Sequence, residues 1–315
     1  MGELSNEAGD RVADAVKGSW VETRLPRPAR PYAQLARFDR PIGWWLLLLP
    51  CWWSTALAAI AADAPWPNPW HLILFLIGAV VMRGAGCTYN DIVDRDIDDQ
   101  VARTRSRPIP SGRVSARSAA IFMVALSLTG LMVLLQFNAF SIGLGIASLG
   151  IVAIYPFMKR ITYWPQSVLG LAFSWGALMG WSATFASLDP PALILYAGSI
   201  LWVIGYDTIY AHQDKEDDAI VGVKSTARLF GDQTRTWLIV FYGGATTLFT
   251  LAFFLAGAGW ISFVGLLVGV GHMAYQLINL DIDDADQCLA LFRSNRNYGL
   301  ILFAGLSLDA ITSSL

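Results

Sequence analysis

Residues 70–98 read WHLILFLIGAVVMRGAGCTYNDIVDRDID. The stretch opens as an apolar run and closes in carboxylates. A helix needs about 20 predominantly apolar residues to cross a bilayer core of about 30 Å, and residues 70–91 supply that length. Asp91, Asp94, Asp96, Asp98 and Asp99 then fall close together, with Arg95, Arg103, Arg105 and Arg107 on the same segment. Two unit charges 4 Å apart repel by about 4 kcal/mol at an effective dielectric of 20. A helix end built this way therefore needs cations between its carboxylates.

The rest of the chain places this stretch in a membrane. Of 315 residues, 55% are hydrophobic and only 15% charged, and the mean hydropathy is +0.49. A soluble domain of this length carries more charge, about a quarter of its residues. Apolar windows predict helices near residues 42–61, 70–91, 118–136, 139–157, 165–186, 190–211, 236–255, 258–279 and 297–314. The chain is thus expected to be all-α, an integral membrane protein with nine spans. The weakest breaks are QFNAF (136–140) and AGAGW (256–260).

Basic residues give the expected sidedness. Of the 22 Lys and Arg, all but one lie before the first span or in the loops after spans two, four, six and eight. This alternation puts the N-terminus in the cytoplasm and the C-terminus outside. The remaining cation, Arg83, is inside span two, where a charge costs about 2.5–3.5 kcal/mol on insertion scales. It is either a member of an ion pair or an anion-binding group. Residues 1–30 are polar, mixed in charge and without an apolar signal core, and are expected to be a cytoplasmic tail ahead of a membrane domain over 31–315. Its acidic residues, among them Glu3, Glu7 and Asp10, argue against a transit peptide. Cys51, Cys87 and Cys288 show no paired spacing, and His71, His212 and His272 no ligand spacing, so neither a disulfide framework nor a His/Cys metal site is expected.

At about 100° per residue, Asp91, Asp94 and Asp98 fall within about 60° of one another on a helix. Asn90 and Arg83 border that face. A second acidic run, GYDTIYAHQDKEDD (205–218), lies at the end of span six, and on the same arithmetic Asp207, Tyr210, Asp214 and Asp218 share one face within about 80°. Oxygen-only ligands select hard cations, Mg²⁺ or Ca²⁺. Two such clusters with arginines nearby suit a diphosphate held through metal bridges. The basic loop RTRSRPIPSGR (103–113) adds positive groups, and its prolines keep it from continuing as helix. A third run, DIDDADQ (281–287), lacks nearby basic residues and reads as a solvated loop.

These motifs resemble the UbiA superfamily of membrane prenyltransferases. NDIVDRDID (90–98) is similar to the family's NDxxDxxxD, and DKEDD (214–218) to its DxxxD. YDTIYAHQDKEDD (206–218), RTRSRPIPSG (103–112), YPFMKR (155–160), GVKSTA (222–227) and DRPIGWWLLLLP (39–50) resemble the branch that prenylates 4-hydroxybenzoate. The resemblance covers nearly all of the chain after residue 30.

The resemblance implies nine helices around a central cavity open to the cytoplasmic side and to lipid. It also implies Mg²⁺-dependent transfer of a polyprenyl group from its diphosphate to the ring of 4-hydroxybenzoate, ortho to the hydroxyl, in ubiquinone synthesis. By carry-over, Asp94, Asp98, Asp214 and Asp218 hold Mg²⁺, with Asn90 and Asp91 assisting. Arg95, Arg103, Arg107, Lys159, Arg160 and Lys224 are candidates for the diphosphate. Lys159 and Arg160 serve equally well as inside-positive anchors. Arg83 is placed for the acceptor's carboxylate, and Tyr155, Tyr206 and Tyr210 either line that site or are packing residues. The expected partners are the two substrates and membrane lipid, with no nucleic acid. The expected location is the bacterial inner membrane, with the mitochondrial inner membrane as the alternative. Prenyltransferases for other aromatic acceptors or haem, and an ion or organic-anion transporter, are the rival readings. A transporter needs a path to both faces, and the expected outer loops are short and uncharged.

Overall fold

The structure is a computed structural model that describes residues 19–100 and 104–313. Among these residues all regular structure is helical. Two short helices come first, α1 (Trp20–Arg24) and α2 (Arg30–Leu35). The long elements follow as α3 (Ile42–Ala61), α4 (Pro69–Asp98), α5 (Ala116–Leu134) and α6 (Ala139–Ile161). Next come α7 (Pro165–Ser174), α8 (Gly176–Phe185) and α9 (Pro190–Ala211), then the short α10 (Lys215–Val221) and α11 (Thr226–Phe230). The chain ends with α12 (Thr234–Leu255), α13 (Trp260–Ile278) and α14 (Ala285–Ser313).

Among the described residues, eight segments are long and apolar enough to cross a membrane: α3, α4, α5, α6, α7 with α8, α9 with its following turn, α11 through α12, and α13. The ninth expected span lies on α14, which is helical over the whole of 297–314 that is described but carries Asn295, Arg296, Asn297 and Asp309. α4 runs further than expected. Asn68 caps its start, accepting from the backbone N–H of Trp70 (2.9 Å) and His71 (3.3 Å). Its 30 residues span about 45 Å at 1.5 Å per residue, more than the bilayer core, so its carboxylate-bearing turns extend beyond the hydrocarbon.

The chain forms two compact units. Of the described residues, the first comprises 19–44, 78–100 and 104–132. There Leu35, Val114 and Ala119 form a core, flanked by Tyr32, Ile92, Ile109 and Phe122. The Tyr32 and Phe122 rings meet edge-on, centroids 5.3 Å apart. α4 and α5 approach closely because position 130 is glycine: a Cβ there would collide with the Met82 sulphur.

The second unit comprises residues 45–77 and 133–315. α9 is its centre and packs on α7, α12 and α14. Trp53, Trp202, Tyr206, Tyr298, Phe249 and Phe253 are fully or almost fully buried. Both indole N–H groups are served from within: Trp202 Nε1 donates to Asn295 Oδ1 (3.0 Å) and Trp53 Nε1 to the Gly299 carbonyl (2.7 Å). Tyr242 donates to Gln276 Oε1 (2.8 Å), and Gln276 Nε2 to Ser294 Oγ (2.9 Å). Buried polar groups left unpaired would cost about 1–3 kcal/mol each. The span expected at 165–186 is two helices, because the backbone tightens at Trp175, whose N–H turns to the Ala172 carbonyl. Asn138 ends the QFNAF break by capping α6, accepting from Ser141 N (2.9 Å). In AGAGW, Gly257 takes φ +76°, a conformation open to glycine.

Candidate active site

The first acidic motif lies on the last turns of α4, in the first unit. Asp91 and Asp94 are fully buried and Asp98 is 5% exposed, as the shared helical face requires. Arg37 Nη2 donates to Asp91 Oδ1 at 2.7 Å. Arg107 Nη1 lies 2.9 Å from Asp98 Oδ2 and 3.5 Å from Asp91 Oδ1, so a single guanidinium nitrogen stands between two carboxylates. Asp91 Oδ2 is buried and accepts no hydrogen bond from the protein.

The loop that brings Arg107 is itself fastened. Thr104 Oγ1 donates to the Asp98 carbonyl (2.9 Å), and Arg113 donates to Gln34 Oε1 (2.8 Å) and the Ser106 carbonyl (2.7 Å). Arg37 is also held tightly. Its φ is +57°, a left-handed conformation rare for a side-chain-bearing residue, and its Nη1 donates to the Gln34 carbonyl at 2.8 Å. Sequence reasoning missed Arg37, Gln34 and Arg113. Arg37 itself was visible only as part of the inside-positive charge, because nothing in its spacing points at α4.

Other expected residues of this unit are placed differently. Arg95 is exposed at the border of the carboxylate face of α4, one helical turn after Asp91, with Nε 3.5 Å from Asp96 Oδ1. It lines an open hollow of about 390 Å³ with Asp96, Asp99, Gln100, Ile109 and Pro110, none of them a buried carboxylate. Arg103 lies outside the described residues. Arg83 is partly buried, and its guanidinium packs on the backbone of Gly43 so closely that a Cβ at position 43 would strike Nε. The DRPIG stretch thus provides a glycine seat for the one cation inside a span. Asn90 is partly buried.

The second motif belongs to the second unit, and its helix is not continuous. α9 ends at Ala211, a 3-10 turn covers His212–Asp214, and α10 begins at Lys215. Gln213 Nε2 folds back onto the Tyr210 carbonyl (3.0 Å) across this turn. The shared-face arithmetic for Asp207, Tyr210, Asp214 and Asp218 therefore holds only for Asp207 and Tyr210. All four are partly exposed. Tyr206 is buried, and the Tyr210 ring packs at a tilt of 41° against Phe292 of α14 with centroids 4.4 Å apart.

Near the end of α6, Lys224 and Lys159 are joined by a backbone bond, Lys224 N to the Lys159 carbonyl at 2.9 Å. Lys224 Nζ donates to the Ile161 carbonyl (3.0 Å) and lies 5.5 Å from the Tyr163 ring centroid. Its ammonium thus complements the negative C-terminal end of α6. Lys159 is partly buried and Arg160 exposed, and Tyr155 is partly buried one turn earlier.

Among the described residues, no three His, Cys, Asp or Glu side chains converge to hold a metal unaided. Mg²⁺ does not require that, since it commonly takes one or two carboxylates and completes its shell with water and phosphate oxygens. A buried carboxylate oxygen with no donor, beside two further buried carboxylates, is a donor set that fits such an ion.

The family model described as "UbiA prenyltransferase family" matches residues 47–301. The chain is 50% identical over 282 residues to the mitochondrial 4-hydroxybenzoate polyprenyltransferase of Aedes aegypti, spanning 89% of this chain and 64% of that protein. It is 46% identical to the proteins of the same name from Drosophila melanogaster and Homo sapiens, spanning 79% and 77% of their lengths. A solved UbiA homologue from Aeropyrum pernix K1, in its apo form, superposes with TM-score 0.69 at 28% identity, covering 84% of this chain and 97% of that one. A UbiA homologue from Archaeoglobus fulgidus bound to GPP and Mg²⁺ has the same fold, with TM-score 0.67 at 18% identity over 90% of this chain and 99% of that one.

Proposed function

We propose, from its membership of the UbiA prenyltransferase family, that this membrane enzyme transfers a polyprenyl group from polyprenyl diphosphate to the ring of 4-hydroxybenzoate. The step belongs to ubiquinone biosynthesis. The observation that carries the reading is the buried Asp91, Asp94 and Asp98 face with arginines set into it, in a chain about half identical to proteins named for this reaction. Those names favour a mitochondrial membrane over the bacterial inner membrane. The basic loops and both acidic motifs are assigned to the cytoplasmic or matrix side.

Asp94, Asp98, Asp214 and Asp218 would hold Mg²⁺, with Asn90 and Asp91 beside them. Bound there, Mg²⁺ would act as a Lewis acid that neutralises charge developing on the departing diphosphate. Arg107, Lys159, Arg160 and Lys224, with Arg95 and Arg103, are the groups assigned to phosphate oxygens. Guanidinium suits this because it donates two parallel hydrogen bonds to an oxyanion. Arg83 is assigned to the acceptor's carboxylate, which keeps the acceptor's ring in a fixed orientation for attack. Tyr155 and Tyr210 are assigned to shielding the allylic cation and limiting its capture by water, whereas Tyr206, buried against Trp202 and Phe292, is a packing residue. The ring carbon ortho to the hydroxyl forms the new bond, and the proton it carried leaves to restore aromaticity.

The test is an assay in purified membranes with 4-hydroxybenzoate, a long allylic diphosphate and Mg²⁺, with product identified by mass. Formation of the ortho-prenylated acid supports the reading. Hydrolysis of the diphosphate with no ring product, or turnover only with a different aromatic acceptor, overturns it.

A further inference from the structure

Arg107 occupies the position between two buried carboxylates that a cation would take. Its Nη1 is 2.9 Å from Asp98 Oδ2 and 3.5 Å from Asp91 Oδ1, while Asp91 keeps a second, permanent partner in Arg37 at 2.7 Å. The two arginines are anchored differently. Arg37 belongs to the segment that precedes α3, and its other nitrogen is fixed on the Gln34 carbonyl. Arg107 sits on a loop whose flanks are tied down through Thr104 and Arg113. The loop can stay in place while the long side chain of Arg107 changes partner.

We infer that Arg107 is the counter-ion of the metal-free site, and that a divalent cation and the prenyl diphosphate must load together because Arg107 exchanges between them. This rests on the metal-and-diphosphate function proposed above. Three buried carboxylates on one helix face are stable only with positive charge beside them. A guanidinium held between Asp91 and Asp98 supplies it, and so competes with a divalent ion for the same oxygens. A bare ion arriving alone must displace Arg107 from both carboxylates without offering its guanidinium new acceptors. An ion arriving with diphosphate brings new acceptors for the displaced fork. Coupling of this kind is reciprocal: metal improves diphosphate binding by the factor that diphosphate improves metal binding. It also keeps a bare metal ion from lodging among the carboxylates before substrate is present.

The experiment uses purified full-length protein in detergent, with Mn²⁺ as the probe, measured by equilibrium dialysis with and without inorganic pyrophosphate. Wild type should bind Mn²⁺ weakly alone and much more tightly with pyrophosphate. Arg107→Gln should bind Mn²⁺ alone about tenfold more tightly than wild type, a difference of about 1.4 kcal/mol, and should lose most of the pyrophosphate enhancement. Arg107→Lys, whose point charge cannot serve two carboxylates as a planar fork does, should fall between them. Arg105→Gln removes one charge from the same loop and should behave as wild type, which separates displacement from net charge. Equal or weaker Mn²⁺ binding by both Arg107 variants, or equal tightening by Arg105→Gln, overturns the exchange. Failure of every protein to bind Mn²⁺, even with pyrophosphate, overturns the metal reading itself and this inference with it.

Discussion

Arg83 is a cation inside a span, seated on Gly43, and its assignment can be separated from that of the diphosphate groups. It lies seven residues before Asn90, about 10 Å deeper along the helix. Arg83→Ala should weaken 4-hydroxybenzoate binding far more than diphosphate binding. Arg83→Lys should recover only part of it, because an ammonium does not match a carboxylate in a planar fork. Separate apparent affinities for the two substrates check this, and a selective loss of diphosphate affinity would move Arg83 to the phosphate groups. Arg37 makes a different prediction. Removing one member of a buried pair typically costs about 3–5 kcal/mol because the other charge is stranded. Arg107 remains beside Asp91, so Arg37→Ala should fall near the lower end, about 3 kcal/mol. The Arg37→Ala, Asp91→Ala double variant should be less damaged than the sum of the two singles, which thermal midpoints in detergent will read. Cys288 is a third case. Its thiol is fully buried and donates to the Asp281 carbonyl at 3.2 Å. Burial first, then the charges of Asp284, Asp281 and Asp283, push its pKa up to about 11. Since the thiolate is the nucleophile, alkylation of Cys288 in the folded protein should be very slow at pH 7.5. It should still be rising between pH 9 and 10, where an ordinary thiol, of pKa about 8.5, levels off.

Helices were legible in the sequence wherever apolar length alone decides them, as in α3 and α9, whose ends match the apolar windows at 42–61 and 190–211. Where a local backbone bond decides, they were not. The break at Trp175 has no proline or charge run to announce it, and the 3-10 turn at His212–Asp214 is set by backbone bonds inside a run whose charges alone read as a continuing helix. The carboxylate face of α4 was legible because helical periodicity carries through to Asp98, whereas its partner Arg37, 54 residues away, had no periodicity to connect it. Asp309 falls between these cases. No motif or periodicity in the sequence marks this lone carboxylate, yet it is 2% exposed on α14. Its Oδ2 accepts from Gly259 N (2.6 Å) and Ser262 Oγ (2.9 Å). It therefore caps α13 from another helix, placing negative charge at a helix N-terminus. Asp309→Ala should cost about 1–2 kcal/mol and leave the substrate affinities unchanged. Asp309→Asn, which still accepts, should cost less. A shift in metal or substrate affinity with no loss in thermal midpoint would mean Asp309 is more than a cap.

The two acidic motifs fall on the two different compact units of the chain, Asp91–Asp98 on one and Asp214–Asp218 on the other. A diphosphate carries several negative charges, and one Mg²⁺ with one or two carboxylates leaves much of that charge uncompensated. If both motifs act on the same leaving group, neither can carry turnover alone. Asp94→Asn and Asp214→Asn should each lower kcat about a hundredfold or more, the size of effect seen when one charge-stabilising group of a transition state is removed. The double variant should be scarcely worse than either single, because groups that act as a unit are strongly non-additive. Asp281→Asn and Asp284→Asn, both exposed and ahead of α14, should change kcat less than twofold, a surface-sized effect. Chelation should abolish activity and Mg²⁺ restore it, with Zn²⁺ serving poorly because it prefers nitrogen and sulphur ligands in a tetrahedral shell. Independent, multiplying losses in the Asp94, Asp214 double variant would show that the motifs serve different steps. Full activity in excess chelator would remove the metal from the mechanism and leave Arg107 and its neighbours to stabilise the diphosphate unaided.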